Sequence, residues 1–521
     1  MEFTVLPVEK LPPLKVGAYL VTDNWDDWFE YSTQYALYVV DANKDKHRIG
    51  EVKIGQFSMA KAQRRPDIPD KFEVLGEEFF SIGQDDSYYE RLQELGDEVR
   101  VAILASLRDI AADADLYTRA VLEPVSQTSL FRSVTEVAAQ GQFRRLAMGG
   151  ARLTPYEFKY KSPVVKGRIE SSIILDFKVS PESNPPSNVH VIIGRNGVGK
   201  TRLLTLMTKA LVEQSSESKV GTFLDDKEAA PDSLFANLVS VTFSAFDPFQ
   251  APTVREDQAT GIRYSYVGLK RPINTKWAGK PKSPEMLARE FVNSVQVCVN
   301  GPKADRWMTA VETLDADPIF REAEVVQLAD GAKASGVHVL RGKNKNEKLF
   351  KRAKSIFNRL SSGHKVVLLT ITRLVEVAEE RTLVLLDEPE AHLHPPLLSA
   401  FVRSLSDLLI NRNGVAIVAT HSPVVLQEVP KSCVWKLRRT GYVVKADRPE
   451  LETFGENVGV LTREVFGLEV TESGFHRMLQ QAVDKKKDYE EVLAIFGNRL
   501  GSEAKAIVRA LIEERVNNEN S

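Results

Sequence analysis

The stretch Val191-Ile192-Ile193-Gly194-Arg195-Asn196-Gly197-Val198-Gly199-Lys200-Thr201 decides how this chain is read. Three apolar β-branched residues mark a buried strand, a glycine-rich turn follows, and Leu203, Met207, Ala210 and Leu211 then recur at helical spacing. A strand, a Gly-x-x-x-x-Gly-Lys-Thr turn and a helix in that order are the setting of a phosphate-binding loop. Its glycines let backbone N–H groups converge on a polyphosphate, and the positive end of the helix adds to the field. Gly194, Arg195, Asn196, Gly197, Val198, Gly199, Lys200, Thr201 and Arg202 are the expected nucleotide-binding residues. Lys200 is expected at the β- and γ-phosphates, and the Thr201 hydroxyl in the shell of a Mg²⁺ ion. A glycine-rich surface turn would supply the glycines but neither the strand nor the helix. The stretch implies binding of a nucleoside triphosphate.

Further along, Thr382-Leu383-Val384-Leu385-Leu386-Asp387-Glu388-Pro389 reads as a buried strand ending in two carboxylates. Asp387 is expected to hold the metal through water and Glu388 to polarise the attacking water. A second apolar strand, Val415-Ala416-Ile417-Val418-Ala419-Thr420, delivers His421 to the same end, where it can reach a γ-phosphate. Between loop and carboxylates lies Leu360-Ser361-Ser362-Gly363-His364-Lys365, which opens a helical pattern through Val367, Ile371, Leu374 and Ala378. A serine there is ordinarily a helix cap. Gln250, after the strand Leu238–Phe243, joins Thr201 and Asp387 as a metal-site candidate.

Composition fits a large soluble enzyme. The 521 residues are 43% hydrophobic, enough for two or three domains with substantial cores. Lys and Arg number 69 against 71 Asp and Glu, so no overall field argues for nucleic acid or a membrane surface. Two cysteines, Cys298 and Cys433, sit among apolar neighbours, as expected in a reducing compartment without disulfides. With no basic-then-apolar leader and no apolar run of about 18 residues, the expectation is a cytoplasmic chain without membrane contact. The motifs divide the chain into an α+β accessory domain over 1–150, an ATPase core over 151–440 with an insertion at 251–345, and a mainly helical C-terminal region over 441–521. Tyr35–Val40 turns at Asp41-Ala42-Asn43-Lys44-Asp45 and returns through Ile49 to Ile54, the pattern of a hairpin.

The Ser361-Ser362-Gly363 stretch, placed between loop and carboxylates, resembles the signature motif of ABC-type ATPases, usually Leu-Ser-Gly-Gly-Gln. Ser362 and His364 depart from that form. The stretch from about 155 to 440, with Leu386-Asp387-Glu388-Pro389-Glu390-Ala391-His392-Leu393-His394-Pro395 and Ala419-Thr420-His421-Ser422-Pro423, resembles the ABC-type ATPases of the overcoming-lysogenisation-defect and Septu class of anti-phage systems. The resemblance implies an α/β fold with an SMC- or Rad50-like phosphate-loop core, although no heptad run supplies coiled-coil arms. It implies that Ser361, Ser362 and Gly363 contact the γ-phosphate held by the opposite copy, so that a homodimer or higher oligomer carries ATP at a head-to-tail interface. Neither a Toprim acidic set nor an HNH set follows the ATPase. The expectation is therefore a Septu-like arrangement, with a separate nuclease subunit, the HNH type among the candidates.

Two other constellations compete. Asp41 with Glu51 and Lys53 mimics the Asp…Glu-x-Lys metal site of restriction-type nucleases, and would make the chain a self-contained nuclease. Arg263, Tyr264, Tyr266, Lys270, Arg271, Lys276, Trp277, Lys280 and Lys282, followed by the basic run Arg341–Lys354, interleave cations with aromatics and leave nucleic-acid contact open, as in a DNA-repair ATPase. A transporter-coupled ATPase is disfavoured by the additional domains. The His392-x-His394 spacing falls in a connecting loop and is not expected to bind zinc.

Overall fold

The computed structural model describes the chain except residues 9, 24–29, 60–62, 151–152, 165–171, 214–216, 226–233, 244–251, 256–261, 272–276, 300–302, 329–342, 441–442, 468–473, 487 and 520–521, with only the backbone at 137, 217, 343–346, 514 and 516–519. The first six strands are β1 (Phe3–Leu6), β2 (Gly17–Thr22), β3 (Gln34–Val40), β4 (Lys46–Gln56), β5 (Lys71–Phe72) and β6 (Phe79–Gly83), joined in the order β5-β1-β2-β3-β4-β6. The hairpin read from the sequence is β3–β4. Asp41 closes its turn by accepting from the backbone N–H of Asn43 and Asp45, each at 2.9 Å, the self-bonding that makes Asp a turn residue.

A three-stranded sheet, β10-β7-β8, combines β7 (Tyr156–Lys161), β8 (Ile174–Val179) and β10 (Thr222–Asp225). The central sheet has seven strands: β9 (Val189–Gly194), β11 (Asn237–Thr242), β12 (Arg263–Gly268), β13 (Thr382–Asp387), β14 (Val415–Thr420), β15 (Val434–Thr440) and β16 (Val443–Asp447), in the order β12-β11-β13-β14-β9-β15-β16. All neighbours pair in parallel except β15–β16. Every residue of β9, β11, β13 and β14 is buried. That is why these strands read as unbroken apolar runs rather than alternating ones. One face is covered by helix α1 (Lys200–Val212), whose Leu203, Met207 and Leu211 meet Phe158, Phe177 and Phe223. The other is covered by α2 (Pro284–Val299), α3 (Ala304–Leu314), α4 (Ser362–Val377) and α5 (Pro395–Ile410). The described part of 251–345 is thus continuous with the core: β12 is its edge strand, and α2 and α3 pack on α4 and α5.

Register places the candidate residues together. Thr242 pairs with Asp387, Asp387 with Ala419, and Ile193 with Thr420, so the carboxyl ends of β11, β13, β14 and β9 share one edge. In parallel sheets of this kind that edge is where ligands bind.

The N-terminal sheet attaches at the opposite edge. Arg412, just before β14, is buried and sits 3.0 Å from Asp85 and 2.8 Å from Asp86, while Arg306 reaches Asp85 at 2.7 Å. Arg145 pairs with Glu380 just ahead of β13, at 2.6 Å. After β16, the helix Val458–Phe466 returns to the core through Leu461 and Val465. The helices Gly474–Lys485, Tyr489–Ile495 and Ser502–Glu519 bury an apolar cluster of their own around Leu479, Val492 and Val508.

Candidate nucleotide site

Gly197 (φ 80°) and Gly199 (φ 107°) occupy the left-handed region that L side chains avoid, which lets the loop curl between β9 and α1. Lys200, 4% exposed, donates to the carbonyls of Gly194 at 2.9 Å and Arg195 at 3.2 Å, folding its ammonium over the loop. Burial lowers its pKa, and the carboxylates of Glu388, Glu390 and Asp387 oppose that shift. The loop tip from Arg195 to Val198, His421, Arg439 and Phe466 line a cleft of about 500 Å³. Arg439 donates to the Gly197 carbonyl at 3.2 Å, and Phe466 comes from the helix after β16. Thr201 and Asp387 line a second cavity of about 20 Å³ with Ser240 and Thr242. That space suits one ion or water.

Glu388 departs from regular geometry. Its backbone is left-handed (φ 46°, ψ 58°), its N–H bonds to the Ala419 carbonyl at 2.8 Å, and Pro389 follows at once. A non-glycine residue in that region stores strain, and such residues cluster at functional sites. Thr420 at the end of β14 and His421 after it are held by Glu390, which sequence reasoning missed. Glu390 Oε1 accepts from Thr420 Oγ1 and from the His421 N–H, both at 2.6 Å, and lies 3.0 Å from His421 Nδ1. The same His421 nitrogen is 3.9 Å from Glu388 Oε1. The only signal for Glu390 in the sequence was its place two residues after Glu388.

Ser361 caps α4, and its side chain accepts from the His364 N–H. Ser361 and Ser362 are exposed, whereas Gly363 is buried against the loop after β13: a Cβ there would come within 2.4 Å of the His392 carbonyl. Glycine is required by that close approach. Gln250 lies outside the described residues.

Of the two competing constellations, the first does not assemble. Asp41, Glu51 and Lys53 do not converge. Ala36 is opposite Glu51 and Val40 opposite Lys46, so Asp41 lies beyond the far end of the ladder, on the order of 16 Å of strand from Glu51. Asp41 pairs with His47, Glu51 with Arg48, and Lys53 is buried and donates to the Ser129 carbonyl at 2.7 Å. The linear pattern ignored strand register. Among the described residues of 263–282, Tyr264 and Tyr266 are core residues, Arg263 pairs with Glu379 at 2.8 Å, and Lys282 pairs with Glu290 at 2.7 Å. Trp277 is exposed, with Lys280 over its ring at 4.4 Å; Lys276 lies outside the described residues.

A parallel sheet ordered around a phosphate-binding loop, with a carboxylate pair and a histidine at its carboxyl edge, defines an α/β phosphate-loop fold of the ABC ATPase type. The chain belongs to the family of protein ea59 of Escherichia phage lambda, to which it is 40% identical over 527 residues, covering 99% of both. Residues 335–427 match the family model "AAA domain, putative AbiEii toxin, Type IV TA system", a segment that includes Ser361, Asp387, Glu388 and His421. Among solved structures, cbiO1 of Clostridium perfringens, part of the ABC transporter complex cbiONQ, is similar over 61% of this chain and 95% of its own, at 16% identity and TM-score 0.29. UvrA2 of Deinococcus radiodurans is similar over 57% and 38%, at 14% identity and TM-score 0.27. Likenesses at those scores carry no weight here; the strand order and the loop carry the fold. No helix among the described residues is long and apolar enough to cross a membrane.

Proposed function

We propose that this chain hydrolyses ATP between two head-to-tail copies and that the resulting opening and closing regulates a separate nuclease in an anti-phage complex. The observation that carries the ATPase part is the convergence of the Lys200 loop, the Asp387-Glu388 pair and His421 on one sheet edge. Lys200 and the loop amides bind the phosphates in the ground state. Thr201 and Asp387 offer two hard oxygen ligands around a space of ionic size, a donor set suited to Mg²⁺. When bound, that ion neutralises phosphate charge. Glu388 orients a water for in-line attack, and its strained backbone, tied to Ala419, fixes the direction of its carboxylate. His421, steered by Glu390, faces the γ-phosphate. Ser361, Ser362 and Gly363 of a second copy close the site, consistent with the exposure of Ser361 and Ser362 at the helix start.

The regulatory part is supported by the motif resemblance and by the size of the chain outside the nucleotide edge. Nothing in the geometry favours an N-terminal nuclease. The experiment is phosphate release by the purified chain with Mg²⁺, followed by plasmid and RNA cleavage with and without the protein encoded beside it. The proposal expects ATP turnover that Lys200→Ala abolishes, no cleavage by the chain alone, and nucleotide-dependent cleavage once the neighbour is added. Cleavage by the chain alone would overturn the regulatory reading, and turnover that survives Lys200→Ala would overturn the ATPase reading.

A further inference from the structure

His364 replaces the glutamine usual at the fifth position of the signature, and its surroundings are specific. The ring is 2% exposed, edge-on to Phe320 at 5.0 Å, with both nitrogens engaged. Nδ1 is 2.6 Å from Ser361 Oγ, and Nε2 is 3.1 Å from Asp317 Oδ1. Asp317 is held in turn, capping the helix Pro318–Ala323 by accepting from the Ile319 N–H at 2.8 Å. An ionised carboxylate only accepts, so Nε2 carries the hydrogen toward Asp317. When Nδ1 also carries a hydrogen it donates to Ser361 Oγ, which leaves the hydroxyl hydrogen free for a phosphate oxygen. The cap bond to Ser361 Oγ from the His364 N–H is long, at 3.4 Å, and by itself leaves the hydroxyl several staggered rotamers. Here a buried imidazole, itself fixed by a carboxylate from another element, selects one.

We propose that His364 and Asp317 are positioning residues for Ser361, holding its side chain in the rotamer that meets the γ-phosphate of ATP on a second copy. This rests on the reading of Ser361 as a contact in trans, and it adds a Ser–His–Asp chain behind that contact. His364 touches no nucleotide and acts only through Ser361. Fixing one of three rotamers through a short bond is worth roughly three- to tenfold in turnover. KM for ATP stays unchanged, because Lys200 and the loop carry binding.

The test is a double-mutant cycle on the full chain, with kcat and KM for ATP measured for wild type, Ser361→Ala, His364→Phe and the double variant. Phe keeps the ring volume beside Phe320 and removes both nitrogens; if it melts well below wild type, His364→Leu takes its place. The expected result is a kcat loss of roughly three- to tenfold for His364→Phe alone and none in the Ser361→Ala background, with His364→Gln, which retains a donor and an acceptor, restoring turnover. Losses that multiply, or a His364→Phe enzyme as fast as wild type while Ser361→Ala is slow, would overturn this inference and leave the trans contact standing. A Ser361→Ala enzyme as fast as wild type would instead overturn the trans contact itself.

Discussion

Glu390 is where turnover should be most sensitive to a residue that touches no nucleotide. Its side chain is 9% exposed, and one oxygen accepts from Thr420 Oγ1 and the His421 N–H at 2.6 Å, with His421 Nδ1 lying 3.0 Å away. Hydrogen bonds to a charged group are worth about 1.5–3 kcal/mol each, so two of them hold the end of β14 with roughly 3–6 kcal/mol. Glu390→Ala removes both and frees the His421 ring, which then samples orientations away from the γ-phosphate. Losing one well-placed transition-state group costs about 10²–10³ in kcat, and Glu390→Ala should approach the lower end of that range. Glu390→Gln keeps an acceptor for Thr420 and the His421 N–H but loses the charge, and should cost about tenfold, near the 1.4 kcal/mol between a charged and a neutral bond. Steady-state phosphate release gives kcat, and a fluorescent ATP analogue gives affinity, which should move less than threefold. A Glu390→Ala enzyme with kcat within threefold of wild type would refute the reasoning, because His421 would then need no support.

Arg412→Met should destabilise the junction by about 3–5 kcal/mol, since it leaves the buried Asp85 and Asp86 without their shared cation; denaturant unfolding measures it, and adding Asp85→Asn and Asp86→Asn should recover part of the loss. Asp109 is buried and its pKa is raised to about 7 by burial, so its contribution to stability is complete below about pH 4 and is lost as pH rises through 7. Asp109→Asn lacks that loss, and its melting temperature relative to wild type should rise between pH 4 and pH 8; a constant difference would contradict the assignment. Saturating ATP at 100 times its dissociation constant should add about 2.7 kcal/mol of stability, and Lys200→Ala should lose most of that gain in a melting scan.

What could be read from the sequence was local. The Lys200 loop, the Asp387-Glu388 strand and the His421 strand each announce themselves within ten residues, because strand, turn and helix must follow one another for the chemistry to work. Their convergence was not local: it follows from the register of Thr242, Asp387, Ala419 and Ile193 across four strands far apart in the chain. Residues that act through space were invisible for the same reason. Asp317 is drawn to His364 by the packing of two helices, and Arg412 to Asp85 by the docking of the N-terminal sheet. The Asp41, Glu51 and Lys53 pattern failed in the converse way, since closeness along a hairpin is not closeness across it. The burial of Tyr264 and Tyr266 could not be decided from the sequence, because nothing local marks β12 as an edge strand of the core.

The head-to-tail dimer is the central claim, and the Glu388→Gln variant tests it most directly. That substitution removes the water-orienting carboxylate while leaving Lys200 and the loop untouched, so bound ATP persists and the closed state accumulates. Light scattering of Glu388→Gln with and without ATP and Mg²⁺ should show the molar mass doubling on nucleotide addition. The same mass in both conditions, equal to that of one chain, would contradict it.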